Sequence, residues 1–335
     1  MNPRTSIPAR TLRTGAAVTE LGLGAAQFGN LFRETTDEET ESAVATALGA
    51  GIRYFDTAPH YGLGLSERRL GAALRANDAS RDELVLSSKV GRLLVDSPET
   101  ADRLDDDGFV VPADRRRVWD FSRDGILRSV ESSLERLGTD HLDIAYLHDP
   151  DDHWPEASTT GIGALVELRD QGVVRAIGAG MNQSAMLTAF VEQTDVDVVM
   201  VAGRFTLLDQ SALTDLLPAA LRRRVSVVAA AVYNSGLLSS PTVDRAAHFD
   251  YGTAPAAVVE RAEALAEVCA RHGVSLPEAA VQYPLRHPAV VSVVTGMRTA
   301  SHVRSTAERY AATIPDALWE ELDASGLAAD PARIH

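Results

Sequence analysis

A single cysteine, Cys269, among 335 residues leaves the chain without an internal disulfide and without a cysteine-based zinc site. Basic residues are also in short supply. The 32 Lys and Arg against 47 Asp and Glu give a formal charge of -15, and phosphate binding needs clustered positive charge, so a nucleic-acid partner is not expected. No run of about 18 apolar residues occurs, which excludes an obvious membrane-spanning helix. Residues 1–20 carry arginines but no apolar stretch of the kind that directs secretion. Linkers, charge blocks, low-complexity runs and internal repeats are missing as well. With 45% hydrophobic and 24% charged residues, the expectation is a soluble, cytoplasmic protein with one domain over residues 1–335. The oligomeric state stays open, a homo-oligomer included.

What the chain does contain is one pattern used eight times. A short apolar run leads through a loop to a helix with apolar residues at helical spacing. The runs are Leu21–Gly24, Arg53–Asp56, Leu84–Ser88, Leu142–Leu147, Val174–Ala179, Val196–Val201, Val225–Ala230 and Val290–Val294. Helices are expected at about 37–50, 66–75, 183–193, 211–223, 255–272 and 300–311. A hairpin over 8–20, turning at Thr14-Gly15, precedes them. Continuous apolar runs suit strands buried on both faces of a parallel sheet. Eight such units, with no Gly-x-Gly-x-x-Gly at the first turn, favour a closed (β/α)8 TIM barrel over a doubly wound sheet. The extra length then falls in the hairpin, in 91–121, in 236–254 and in the tail. Stretch 91–121 has no clear periodicity and follows the third strand, so it should emerge as a long loop on the C-terminal face, with Trp119 and Phe121 available to line a pocket.

The polar residues at the strand ends matter most. Asp56 closes the second strand, Lys89 the third and His148 the fourth, while Tyr61 stands on the loop after the second. In a barrel all four gather at the C-terminal rim. Singly, each has an ordinary structural reading: a helix-capping Asp, a packing Tyr, a solvated Lys. Together they make an acid/base. A tyrosine titrates near ~10, and an ammonium at about 4 Å in an effective dielectric of about 20 favours the phenolate by up to ~4 kcal/mol before desolvation is subtracted. Asp56 would hold Lys89 charged, and His148 would donate to a substrate oxygen.

Asp56-Thr57-Ala58 with Tyr61-Gly62 and Ser66-Glu67, the strand-end Lys89, and Asp143 to His148 after Ser133 to Gly138 resemble the aldo-keto reductase family. The resemblance runs in order over nearly the whole chain. It implies an NADP or NAD cofactor lying across the barrel mouth, no metal, hydride transfer between nicotinamide and substrate carbon, and Tyr61 as the acid/base tuned by Asp56 and Lys89. Finer matches, at Leu23 to Arg33 with Phe28 among them, His148 to His153, Gly180 to Gln183, Ala202 to Asp209 with Arg204, and Tyr233 to Leu238, resemble the branch holding aldose 1-dehydrogenases for L-fucose and related D-threo sugars. Pyridoxal 4-dehydrogenase belongs to that branch too. The substrate implied is a small carbonyl compound or a sugar hemiacetal oxidised to a lactone.

Carried over by position, Asn182 would take the carboxamide, Tyr233 or Val232 would stack on nicotinamide, and the backbone of Ser235, Gly236, Leu237 and Leu238 would face the pyrophosphate. Gly296, Arg298, Thr299, His302 and Thr306 mark the adenosine phosphate end, where Arg298 would stack on adenine or pair with a 2′-phosphate. The usual strand-six glutamine is Ala202, and the family's adenine-contacting glutamate and asparagine are Ser305 and Thr306. Substrate contacts are expected from Phe28, Trp119, Phe121 and Arg204. Three other readings compete: a general aldehyde or ketone reductase, a non-catalytic cofactor sensor, and a metal-dependent hydrolase or isomerase using His60, Glu67, His148, Asp149, Asp151, Asp152 and His153.

Overall fold

The computed structural model describes residues 7–246, 248–250 and 252–333. Eight parallel strands pair in chain order and close on themselves: β1 (Leu21–Gly24), β2 (Tyr54–Asp56), β3 (Val85–Val90), β4 (Leu142–His148), β5 (Val174–Met181), β6 (Val198–Ala202), β7 (Ser226–Ala230) and β8 (Val290–Gly296). The helices that follow the strands in turn are α1 (Asp37–Ala50), α2 (Leu65–Ala76), α3 (Arg123–Leu137), α4 (Ile162–Asp170), α5 (Ser184–Gln193), α6 (Leu216–Arg223), α7 (Ala256–Arg271) and α8 (Ala300–Ala311), with additional helices at Leu276–Gln282 before β8 and Asp316–Ala324 after α8. This is the expected (β/α)8 barrel. Among the described residues no helix is long and apolar enough to cross a membrane.

Local chemistry explains the element ends. The Thr36 hydroxyl accepts from the Glu39 amide while the Glu39 carboxylate accepts from the Thr36 amide, and Gly51 closes α1 at φ 90°. The helix expected over 211–223 is divided. A short turn at Ser211–Leu213 comes first, and α6 starts only after Asp215, whose carboxylate accepts the Leu216 amide. Pro218 then falls in the first turn of α6, where its missing N–H costs nothing.

Side chains alternate across each strand with a period of two. Tyr54, Val85, Ile144, Tyr146, Ala176, Val198, Met200, Val228 and Val294 pack along the barrel axis, while neighbours such as Phe55, Leu86, Ala145, Leu147 and Val199 pack beneath the helices. The N-terminal hairpin, Ala9–Thr11 on Ala17–Thr19, adds Leu12 and Val18 to the axial cluster and closes the lower end. At Gly178 on β5 an added Cβ would lie 1.6 Å from the Val198 carbonyl oxygen, so the two strands approach there only because that position has no side chain.

The expectation of an aperiodic loop at 91–121 is corrected. Arg92–Asp96 pairs antiparallel with Arg115–Trp119, and the intervening residues fold back onto the loop after β1 through the Leu31 to Phe109 bridge. Both strands stand off the barrel and are partly exposed on both faces, so the sequence carries no clean alternation.

Candidate active site

Strand parity assembles the site. Tyr54 and Asp56 share one face of β2, Ser87 and Lys89 the same face of β3, and Tyr146 and His148 that of β4; the ladders set Asp56 beside Ser87 and Lys89 beside Tyr146. The Lys89 ammonium donates to Asp56 Oδ2 at 2.6 Å and to the Thr57 carbonyl at 3.0 Å. Ser87 donates to the other carboxylate oxygen, Asp56 Oδ1, at 2.6 Å and lies 3.2 Å from the Tyr54 hydroxyl, which in turn meets the Tyr146 hydroxyl at 3.2 Å. Asp56 is therefore gripped on both oxygens inside the barrel.

Tyr61 comes in from above on the β2 loop, with the Lys89 ammonium 4.8 Å from its ring centroid. That loop is pressed onto the loop after β1. A Cβ at Gly29 would lie 2.6 Å from the Tyr61 carbonyl, and one at Gly62, whose φ is 62°, 2.2 Å from the Gly29 oxygen. Main chain meets main chain, so the height of Tyr61 over the rim is set by the β1 loop. His148 meets the Tyr61 ring edge-on, with centroids 5.8 Å apart. The four residues expected at the rim are thus together.

Their electrostatics differ from the expectation in one respect. Burial alone would lower the Lys89 pKa, but the Asp56 carboxylate outweighs it and holds the ammonium above its ordinary value. Burial raises Tyr61 above its ordinary value by more than the adjacent ammonium lowers it, so the free protein carries a neutral phenol and not the phenolate that Coulomb attraction alone favours. His148 is pushed well below the usual histidine range by burial, then by Arg92 and Lys89, and is a neutral donor at neutral pH. A raised phenol pKa has a kinetic sign. Below it the phenolate fraction rises about tenfold per pH unit, so kcat/KM for oxidising a hydroxyl substrate should climb from about pH 6 to about pH 9, with the reverse reduction favoured at the acid end. A flat oxidation profile over that range would contradict this reading.

The substrate side is made by β3, β4 and the 91–121 hairpin. His60 packs edge-on against His148 (5.4 Å) and Phe109 (5.4 Å), and burial followed by Arg117 and Arg92 pushes it down to about 2. Arg92 donates to Asp149 Oδ2 at 2.5 Å and lies 4.4 Å from the Trp119 ring centroid. Trp119 is 43% exposed at this mouth, whereas Phe121 (1%) and Phe28 (0%) are core residues with no surface to offer a substrate, which corrects both expectations. Arg204 is held by Asp250 at 2.8 Å, by Asp209 and by the Asn182 carbonyl, and ties 236–254 to the loop after β6. His60, Arg92 and Asp149 carried no strand-end signal: two stand on loops or a hairpin, and Asp149 reads as one acid of a solvated cluster. Among the described residues no group of three or more His, Cys, Asp or Glu side chains is placed to hold a metal ion; Glu67 is engaged by Ser88 and Arg136 at 2.6 Å each.

The remaining arc of the rim fits a dinucleotide. Gln27 Oε1 after β1, Thr295 Oγ1 on β8 and Asn234 Oδ1 after β7 are buried without a hydrogen-bond partner, as are Ser129 Oγ and His287 Nε2 elsewhere, and at the rim a bound ligand would complete them. Asn182 is half-buried and Gly296 exposed at the same end of the barrel. Ser235 and Gly236 are exposed, but Leu237 and Leu238 are buried, and the amides of 236 to 238 are engaged in turns of their own. Tyr233 lies under Arg309 of α8, with 5.8 Å from guanidinium to ring centroid. Thr299 caps α8 by accepting the His302 amide, His302 is exposed and Thr306 buried. Arg298 is corrected: it is 6% exposed and donates to the Leu31 and Arg33 carbonyls and to Thr35, clamping the β1 loop instead of reaching outward.

A (β/α)8 barrel with a lysine-backed tyrosine at its rim and unpartnered polar atoms beside it is equipped for acid/base chemistry on a small molecule bound at the barrel mouth. Comparison with known proteins agrees: the profile of the Aldo/keto reductase family matches residues 20–326, and the chain belongs to that family as an NAD(P)-dependent oxidoreductase. It is 47% identical over 320 residues to a D-threo-aldose 1-dehydrogenase from Pseudomonas sp, covering 95% of this chain and 97% of that one. To a pyridoxal 4-dehydrogenase from Microbacterium luteolum it is 37% identical over 333 residues, with 94% and 96% covered. The holo form of an aldo-keto reductase from Bacillus halodurans superposes with a TM-score of 0.76 at 25% identity, covering 98% of each chain.

Proposed function

We propose that this protein is an aldose 1-dehydrogenase that oxidises the hemiacetal carbon of a D-threo or L-fucose type sugar to a lactone. The observation that carries the reading is its 47% identity, over 95% of its length, to a D-threo-aldose 1-dehydrogenase, against 37% to the pyridoxal enzyme. Tyr61 takes the proton of the C1 hydroxyl. Lys89 stabilises the charge that develops on the phenol oxygen, and Asp56, gripped by Ser87, keeps Lys89 charged and in place. His148, neutral, donates to the substrate oxygen and fixes its approach. A bound dinucleotide supplies the two-electron acceptor for the C1 carbon. Gln27, Asn182, Asn234, Ser235, Gly236, Thr295 and Gly296 would hold its nicotinamide half, and the opening of α8 at Thr299 and His302 its adenosine end.

With Arg298 committed to the β1 loop, no guanidinium at that position is free for a 2′-phosphate, which supports NAD over NADP. The test is steady-state assay of L-fucose, D-arabinose, L-galactose, pyridoxal and simple aldehydes with each dinucleotide. Sustained turnover of at least one aldose, faster with NAD, is expected. Failure with every sugar alongside reduction of simple aldehydes would replace this reading with that of a general reductase.

A further inference from the structure

Beside the tetrad stands a charged pair that acid/base chemistry at C1 does not use. Asp149 follows His148 directly, at the point where β4 ends, and its backbone is held at φ 40°, a left-handed conformation that costs a non-glycine residue energy and persists where surroundings impose it. The surroundings are explicit. Its amide donates to the Gly180 carbonyl at 3.0 Å, and its carboxylate is anchored by the Arg92 guanidinium at 2.5 Å. Arg92 is itself held from two sides, by the face of Trp119 at 4.4 Å and by His60 Nδ1 at 3.3 Å, which accepts from it. The result places Asp149 Oδ2 3.5 Å from His148 Nε2, while 35% of the Asp149 side chain remains open to solvent. A carboxylate held next to the nitrogen that receives the reacting oxygen stands where the next polar group of the substrate must come.

We infer that Asp149, anchored by Arg92, is the residue that reads the C2 hydroxyl of the sugar, accepting its hydrogen bond while His148 donates to the oxygen on C1. The inference rests on the aldose reading above and extends it from a sugar class to a position on the sugar. An ionised acceptor recognises a hydroxyl strongly through a charge-assisted hydrogen bond, which a deoxy analogue forfeits while it still displaces water from the carboxylate. Arg92 serves a second purpose. By pairing with Asp149 in the free protein it fixes the carboxylate beside His148 before the substrate arrives.

The experiment compares an aldose that the wild-type protein oxidises with its 2-deoxy counterpart, in wild type, Asp149→Asn and Arg92→Met, and reads the ratio of the two kcat/KM values. Asparagine adopts the left-handed backbone readily, so Asp149→Asn should keep the turn intact. In wild type the ratio should favour the hydroxylated sugar by about 10²-fold or more, and in both variants it should fall by at least about tenfold. If both substrates lose rate in proportion, Asp149 acts only through His148 and the assignment to the C2 hydroxyl is overturned. An unchanged ratio in the variants overturns it equally. A wild-type protein that shows no preference between the two sugars also overturns the assignment, whereas one that oxidises no aldose removes the aldose reading itself, a distinct outcome.

Discussion

Replacing Tyr61 with phenylalanine is expected to lower kcat by about 10³-fold while leaving dinucleotide affinity, measured by quenching of intrinsic fluorescence, nearly unchanged. The size follows from the role: a positioned acid/base contributes typically 10² to 10⁴-fold, at about the upper half of which a buried, lysine-backed phenol belongs. The selectivity follows from the geometry. Lys89 keeps its bonds to Asp56 and to the Thr57 carbonyl without the Tyr61 hydroxyl, and the ring, which phenylalanine keeps, supplies the packing against His60, Phe109 and His148. Residual turnover near the wild-type rate would remove Tyr61 from the mechanism.

Lys89→Met has a different signature, because it damages both chemistry and fold. Lys89 and Asp56 are both nearly fully buried, so removing the ammonium leaves the carboxylate with only Ser87 as a partner. Breaking such a pair from one side costs typically about 3–5 kcal/mol of stability, read as a shift in the urea midpoint. The double variant Asp56→Asn/Lys89→Met removes both charges and should recover much of that stability without recovering activity. The sign with pH is fixed by the lysine: its pKa in the folded protein is raised above the ordinary value, so the pair's contribution is complete below the ordinary lysine pKa and is lost only as pH rises through the folded-state one. The difference between wild type and Lys89→Met should therefore be constant across neutral pH. Equal stabilities for the single and double variants would mean that Asp56 finds another partner or a proton.

These two residues also show what the sequence could disclose. Asp56, Lys89 and His148 were legible because each closes an apolar run, and a strand's period of two puts residues at equivalent heights on the same face. Position along the strand was enough. Burial was not legible, and burial decides the rest. The Coulomb attraction between Lys89 and Tyr61 follows from their types and approximate distance, but the desolvation that outweighs it comes with burial under a roof of His60, from the β2 loop itself, and Phe109, from 91–121. That segment hid its hairpin because the Arg115-Arg116-Arg117 strand stands clear of the barrel and has no apolar face to alternate. Phe28, Phe121 and Arg298 failed for a related reason: residue type and order along the chain do not say which way a loop side chain turns. Arg298 turned inward to clamp the β1 loop, and Phe28 and Phe121 joined the core.

The hairpin that closes the lower end of the barrel has a practical consequence for attaching the protein to a surface. Its turn, Thr14-Gly15, is exposed, with no neighbouring heavy atom within 4 Å of the position a Cβ on Gly15 would take, and it lies at the opposite end of the barrel from Tyr61. The chain's one native thiol, on Cys269, is buried and its pKa is pushed up to about 12, so it does not compete for maleimide or gold. A Thr14→Cys variant would thus be labelled at one point and would stand on an electrode with its catalytic mouth facing the solution, a uniform orientation that random lysine coupling cannot give, since the only lysine in the sequence is Lys89 itself.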